Sequence, residues 1–527
     1  MARRCTLSDS LTGSSPRVTI ASGQLSGLVD RGIQLFRGIP YAQPPVGALR
    51  WAPPQPPRSW SGVRDATRFG SIAPQAVRMG FEYQTEAEGE DCLYLNVATA
   101  TLDPKARQPV MVWIHGGGNL YGAASDPLYD PVTLASLGVT LVTFNYRLGV
   151  FGFLSHPTVG ANFAVLDYIA ALRWVRNNIT PFGGDPDNVT IFGQSAGAVA
   201  VRALLASPPA AGLFHRAIIQ SAGFEAKATG EWWSRETNEA AVTELFAALG
   251  TTDPEQLRLI PTTRVMEAAA TLSGAKDRPG LVRTPAQLVW MPVADGTIVS
   301  GEAYPAWGKD VPVMLGTVEN ESRFFLRPER QAQFDQPLLE RMTKTLAGPA
   351  AAEALRWFET SGLDPYAALD ALVTTMVFTE PANETCALFA TLDRTFYSYH
   401  FSRLAPGARA SGFLASHASE LPYLFGTLDY AAQSKSWYGK FSRPDWYDAV
   451  DWQLADQIRQ AWVSFARTGV PQSGRAAWKP FDAGNPQITA IGDMIETAAL
   501  LPTPMVTIIK SSRANAPWRS WIDASVC

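Results

Sequence analysis

Val189-Thr190-Ile191-Phe192-Gly193-Gln194-Ser195-Ala196-Gly197-Ala198-Val199-Ala200-Val201 is the stretch on which the fold turns. Its first four residues are β-rich and almost wholly apolar, the pattern of a strand buried on both faces. An Ala-rich helix is expected from Ser195 to Leu205. Between them sits Gly-x-Ser-x-Gly, a motif that is weak alone and strong between a strand and a helix. The glycines permit a tight, strained turn that lifts the Ser195 hydroxyl above the sheet. The helix behind it aims backbone N–H groups at developing negative charge. The competing structural reading is a serine that merely caps a helix between two packing glycines.

Outward from this point the same alternation repeats. Val110–Ile114, Val139–Phe144, Ala217–Gln220 and Val311–Gly316 read as further buried strands, and Asn162 to about Asn178 as a largely buried helix. Asp185-Pro186-Asp187-Asn188 reads as a turn, and Gly38-Ile39-Pro40, Gln43-Pro44-Pro45 and Pro53–Pro57 as irregular surface chain. Residues 225 to 305 and 330 to 390 look mostly helical and suit a cap over the sheet. Asp451–Arg467 reads as an amphipathic helix stopped by Gly469 and Pro471. Strands alternating with helices predict an α/β fold with a mainly parallel central sheet flanked by helices.

Composition narrows the function classes. The 527 residues are 46% hydrophobic and 17% charged, with 16 Trp, 15 Tyr and 25 Phe, ample for a large core and too aromatic for a disordered chain. A net charge of −4 gives no argument for nucleic acid or an anionic membrane as partner. No apolar run reaches the ~18 residues that span a bilayer. The first residues, Met1-Ala2-Arg3-Arg4-Cys5, have no apolar stretch behind them, so residues 1–16 are expected to be a flexible tail rather than a secretory signal. Residues 17–527 are expected to form one catalytic domain. A cytoplasmic location is the default, with secretion left open. Cys5, Cys92, Cys386 and Cys527 are scattered, which suggests neither a disulfide framework nor a zinc site.

Acyl transfer needs an oxyanion site and a base besides its nucleophile. His115-Gly116-Gly117-Gly118 follows the strand 110–114, and a glycine run there presents N–H donors with no side chains in the way. Gly117, Gly118 and Ala196 are the candidate donors; the bland alternative is a flexible turn. In this arrangement the order along the chain is Ser, acid, His. Of the five histidines, His115 belongs to the glycine loop, His156 and His215 precede or crowd Ser195, and His400 sits in an alternating strand-like run. That leaves His417. For the acid, Glu319 and Glu321 both lie just past the strand 311–316, and the residues alone leave them even.

Several further segments complete a pattern: Phe36–Ala42 (FRGIPYA), Glu90–Val97 (EDCLYLNV), Asn145–Gly149 (NYRLG), Phe182–Pro186 (FGGDP) and Glu420–Gly426 (ELPYLFG). Together with the serine motif they resemble the type-B carboxylesterases, the group related to cholinesterases and lipases of similar length, over nearly the whole chain. The resemblance implies an α/β-hydrolase fold with helical cap insertions and a serine esterase acting through an acyl-enzyme, without metal or organic cofactor. It selects Glu321 over Glu319, and matches His417 to the family histidine before the ELPY-like segment. It matches Ser221 to a serine that hydrogen-bonds near the triad, and Arg50 with Glu90 to a structural ion pair. Uncharged, fairly apolar small-molecule esters are the implied substrates. An acyltransferase or amidase with the same triad is the alternative, and a non-catalytic binding protein the remote one. Three departures stand out. Ala73 replaces the cysteine that usually partners the position of Cys92; Asn119 replaces an aromatic after the glycines; Gln194 replaces a glutamate before the nucleophile. A neutral residue at 194 is expected to leave the base unprotonated to lower pH.

Overall fold

The apolar runs become the middle of one eleven-stranded sheet. The computed structural model describes residues 15–75, 83–85, 87–222, 235–272, 289–301, 308, 310–392, 394–435, 439–474, 476–500 and 503–513. In chain order the strands are β1 (Leu28–Asp30), β2 (Ile33–Pro40), β3 (Tyr94–Thr99), β4 (Gln108–Ile114), β5 (Thr140–Phe144), β6 (Gly184–Gln194), β7 (Arg216–Gln220), β8 (Val313–Val318), β9 (Phe396–Phe401), β10 (Gln487–Ile491) and β11 (Ile495–Ala499). They lie side by side as β11-β10-β9-β8-β7-β6-β4-β5-β3-β2-β1. From β10 to β5 every pairing is parallel. Both ends are antiparallel.

Neighbouring residues of each central strand point to opposite faces. Val110, Val112 and Ile114 pack with helices α1 (Phe163–Asn178) and α2 (Ala196–Leu205). Met111 and Trp113 join the other face, which α3 (Ala449–Thr468) covers through Leu454, Ile458, Trp462 and Phe465. Trp113 sits 4.9 Å from the Phe192 ring and 5.0 Å from Phe425. Burying each such side chain contributes roughly 1.5–3 kcal/mol, so both faces of these strands must be apolar. The α3 helix starts at a capping box made by Asp448 and Asp451 and stops at Gly469, φ 82°, within two residues of the expected bounds.

The described parts of two long connections contain the helices that the sequence suggested. Between β7 and β8 lie Arg235–Leu249, Pro254–Leu259 and Thr262–Leu272; between β8 and β9 lie Gln336–Ala347, Ala351–Ser361, Pro365–Thr374 and Glu380–Thr391. The second set has its own core, in which Leu339, Leu369 and Leu372 pack with Met505 and Ile509 of the helix Pro504–Arg513. No helix among the described residues is long and apolar enough to cross a membrane.

Two readings are corrected. Asp185–Asn188 is not a turn but a bulged part of β6: Gly184 pairs with Gln108 and Val189 with Val110, so the extra residues swell one strand. Gly38-Ile39-Pro40 is not surface chain but the end of β2, with Ile39 fully buried. Gly38 at φ 63° forms the bulge that lets Pro40 close the strand against Tyr94. Pro16, placed in the flexible tail, already accepts a hydrogen bond from the Gly27 N–H; residues 1–14 lie outside the described residues.

Candidate active site

Ser195 stands between the end of β6 and the first residue of α2, at φ 57° and ψ −128°. That conformation is strained for any residue with a side chain, and the neighbours hold it there. Ser195 N–H donates to Gln220 O at 2.9 Å, and the Ser195 carbonyl accepts from Ala198 and Val199. The motif glycines are required by contact rather than by dihedral angle. A Cβ on Gly193 would meet Gly197 O at 2.4 Å, and one on Gly197 would meet Ile114 O at 2.0 Å. Strand, turn and helix therefore fit only without those side chains.

The loop His115–Gly118 abuts this turn. A Cβ on Gly116 would come 3.1 Å from Ser195 Cβ and 2.8 Å from Gln194 O. Gly117 and Gly118 have φ 113° and 59°, which favour glycine. The N–H groups of Gly117, Gly118 and Ala196 have no acceptor among the described residues. Around them the loop is fixed. His115 stacks on Tyr146 at 4.5 Å, the Tyr146 hydroxyl donates to His115 O, and His115 Nδ1 lies 2.8 Å from Gly116 O. Burial pushes the His115 imidazole down to about 4, so the ring is neutral at pH 7. Asn119 is buried, with Nδ2 donating to Trp290 O and Met291 Sδ and its own carbonyl accepting from Gly149. The amide that stands where an aromatic is usual thus anchors the glycine loop.

The two glutamates separate cleanly. Glu321 is fully buried; its Oε2 lies 2.6 Å from His417 Nδ1 and its Oε1 accepts from the Val318 N–H. Glu319 turns away to His400 Nε2, 2.6 Å distant, and His400 Nδ1 meets Thr317 Oγ1. His400 is therefore a satisfied strand residue, as read from sequence. Backbone hydrogen bonds from Asn320 to Ala415 O and from His417 to Glu321 O join the two loops. Because a carboxylate only accepts, the neutral His417 ring carries its proton on Nδ1 and leaves Nε2 as an acceptor. Gln194 Nε2 lies 3.0 Å from that atom. No hydrogen bond joins Ser195 Oγ to His417 among the described residues.

Ser221 requires a correction. It is buried at φ 53°, yet its hydroxyl has no hydrogen-bond partner among the described residues. The hydrogen bond that the resemblance implies for it near the triad is not made among the described residues. Arg50 and Glu90 do pair, through Nε–Oε2 at 2.8 Å and Nη2–Oε1 at 2.5 Å, and Arg50 also donates to Ile260 O. Their place is structural, tying the N-terminal segment to the first helical insertion.

Sequence reasoning missed two features. Phe324, Phe325 and Phe378 surround the His417 ring, with centroids 6.2, 5.1 and 5.2 Å away. The Phe-Phe pair three residues after Glu321 was the available signal; Phe378 is placed by a π-helical segment, Thr375–Thr379, that no local pattern announces. Glu420, quoted only as part of a motif, is a second buried carboxyl. It accepts from Gln220 Nε2, whose Oε1 is in turn held by Trp462 Nε1. Burial and the Glu321 charge push it up to about 8, so it is protonated at pH 7. No group of three or more His, Cys, Asp or Glu suited to a metal ion occurs among the described residues.

A strained serine at a strand–helix junction, a buried Glu–His pair and a glycine loop make up the candidate site, and comparison with known proteins gives the family. The sequence profile of the carboxylesterase family matches residues 14–504. Para-nitrobenzyl esterase of Bacillus subtilis is 35% identical over 476 residues, covering 88% of this chain and 92% of that protein. Phenmedipham hydrolase of Pseudarthrobacter oxydans is 34% identical over 492 residues, covering 91% and 95%. In structure, a carboxylesterase of Geobacillus stearothermophilus superposes with a TM-score of 0.77 at 32% identity, over 96% of this chain and 100% of the other. The chain belongs to the carboxylesterase family and is a serine carboxylesterase of the α/β-hydrolase fold.

Proposed function

We propose that Ser195, His417 and Glu321 hydrolyse uncharged, apolar carboxylic esters in two acyl-transfer steps. His417 Nε2 takes the Ser195 proton as Oγ attacks the ester carbonyl, and Glu321 holds the ring and stabilises its charged form. The Gly117, Gly118 and Ala196 N–H groups bind the oxyanion, each such donor being worth about 10²–10³ in rate. His417 returns the proton to the leaving alcohol, then activates a water that releases the acid and regenerates Ser195. The scheme uses no metal or organic cofactor and no macromolecular partner. Residues 17–527 act in it as one catalytic unit.

The observation that carries this reading is the 2.6 Å contact between buried Glu321 and His417 Nδ1, which turns the other ring nitrogen into a base beside the serine turn. The three phenylalanines around His417 favour uncharged, apolar substrates, and the relative named for para-nitrobenzyl esters suggests the probe. The free, buried thiols of Cys92 and Cys386 fit a reducing, cytoplasmic compartment.

Ser195→Ala should abolish hydrolysis of a para-nitrobenzyl ester while circular dichroism and melting stay unchanged. A neutral organophosphonate should label one serine per chain, mapped to Ser195. Full activity in the variant, or labelling elsewhere, would sink the assignment. Product analysis with added alcohols separates a hydrolase, which yields free acid, from an acyltransferase, which yields the new ester.

A further inference from the structure

In the resting site the base nitrogen is already engaged, and not by the nucleophile. Gln194 Nε2 lies 3.0 Å from His417 Nε2, and the Nδ1–H···Glu321 bond leaves that nitrogen with a single lone pair. One lone pair accepts one strong hydrogen bond, so the Gln194 amide and the Ser195 hydroxyl compete for it. Gln194 is 4% exposed, the last residue of β6, and joined in the backbone to Ser195. Its position is therefore set by the same turn that sets the nucleophile.

We propose that Gln194 is a positioning residue that occupies the base nitrogen of His417 between turnovers and gives it up when Ser195 moves onto the ring. The inference rests on His417 being the general base. The amide N–H favours the neutral ring, because it donates to the lone pair that a proton would take. It also holds Ser195 Oγ unactivated until a bound ester pushes the amide aside. The amide is neutral in both states, so it does this without adding charge to the site. Among the described residues, the titratable group in contact with the His417 ring is Glu321, at Nδ1; Phe324, Phe325 and Phe378, which also face it, carry no charge.

The test is the second-order rate of Ser195 phosphonylation by a neutral organophosphonate, followed from pH 4 to 9 in wild type and in Gln194→Met. Methionine keeps the length of the side chain and removes the hydrogen bond. The plateau should rise about threefold or more, since the serine no longer competes. The acidic limb should move up by about half a pH unit or more, since the donor favouring the neutral ring is gone. Gln194→Glu should move the limb further, by more than about one unit, because a carboxylate accepts from the imidazolium. A Gln194→Met plateau no higher than wild type, or an unmoved limb, overturns the proposal. Should that variant not fold, a crystal structure of unliganded wild type decides. The amide of Gln194 on His417 Nε2 supports the proposal, and Ser195 Oγ in its place overturns it. A wild type not labelled at Ser195 at all would instead strike at the triad assignment itself.

Discussion

Glu319 and Glu321 sit two residues apart in the turn after β8, and their carboxylates serve different histidines. The residue types could not separate them. What does is the bridge between Asn320 and Ser416, which brings His417 to one side of the turn and leaves Glu319 facing β9. Glu321→Gln should lower kcat by about 10³–10⁴, because the base loses the partner that fixes its tautomer. Glu319→Gln should change kcat less than about threefold, and parallel kinetics on one ester would expose a reversed order. Glu420 gives a second prediction, on stability. Its folded carboxyl titrates near 8 against an unfolded value of about 4.3. The folded state thus keeps a proton that the unfolded state loses. The resulting stabilisation is complete below about pH 4 and declines as pH rises to 8, a change on the order of 4 kcal/mol. In Glu420→Gln that part of the decline should vanish, so the variant gains on wild type between urea melts at pH 5 and pH 8. Equal pH dependence in the two proteins would contradict the buried, protonated carboxyl.

At the scale of elements, legibility followed burial. β4, β5, β7 and β8 were readable because both their faces are covered, which forces an unbroken apolar run. β2 and β3 were not, since Arg37, Gly38 and Asn96 interrupt them with polar or flexible residues whose partners come from elsewhere in the fold; Asn96 Oδ1, for instance, accepts from the Gly38 N–H. Asp185–Asn188 carried every mark of a turn and became a bulge because β4 holds residues on either side of it. The glycine loop yields a paired prediction. A Cβ on Gly117 would lie 2.0 Å from Tyr121 O, whereas one on Gly118 meets nothing within 4 Å. Gly117→Ala should therefore destroy activity by forcing the loop open. Gly118→Ala bears only the strain of a positive φ, roughly 1 kcal/mol, and should keep at least a tenth of wild-type kcat. Similar losses in both would mean that the loop is soft enough to absorb the clash.

For the whole molecule, cysteine chemistry offers a direct check. Cys92 and Cys386 are buried and unpaired, and burial raises both thiols, Cys386 to about 12. Native protein should expose at most two fast-reacting thiols, and denatured, unreduced protein should expose all four. Two or fewer after denaturation would reveal a disulfide and point to an oxidising compartment. The overall class was readable from one strand–turn–helix because that unit lies at the centre of the sheet; the antiparallel edges and the aromatic ring around His417 depend on contacts that no short stretch encodes. The wide spacing within the site also has a meaning in time. Gln194 and His417 touch across 223 residues of chain. A ribosome adding about 5–20 residues per second needs roughly 10–45 s to travel that far. On the proposed assignment of His417 as base, the nascent polypeptide throughout that interval displays Ser195 without the imidazole that would arm it, so a reactive acyl donor in the cell should find an ordinary alcohol. Translation stalled before residue 417 should leave a fragment inert to organophosphonate, and reactivity should appear only once the segment carrying His417 has emerged and folded.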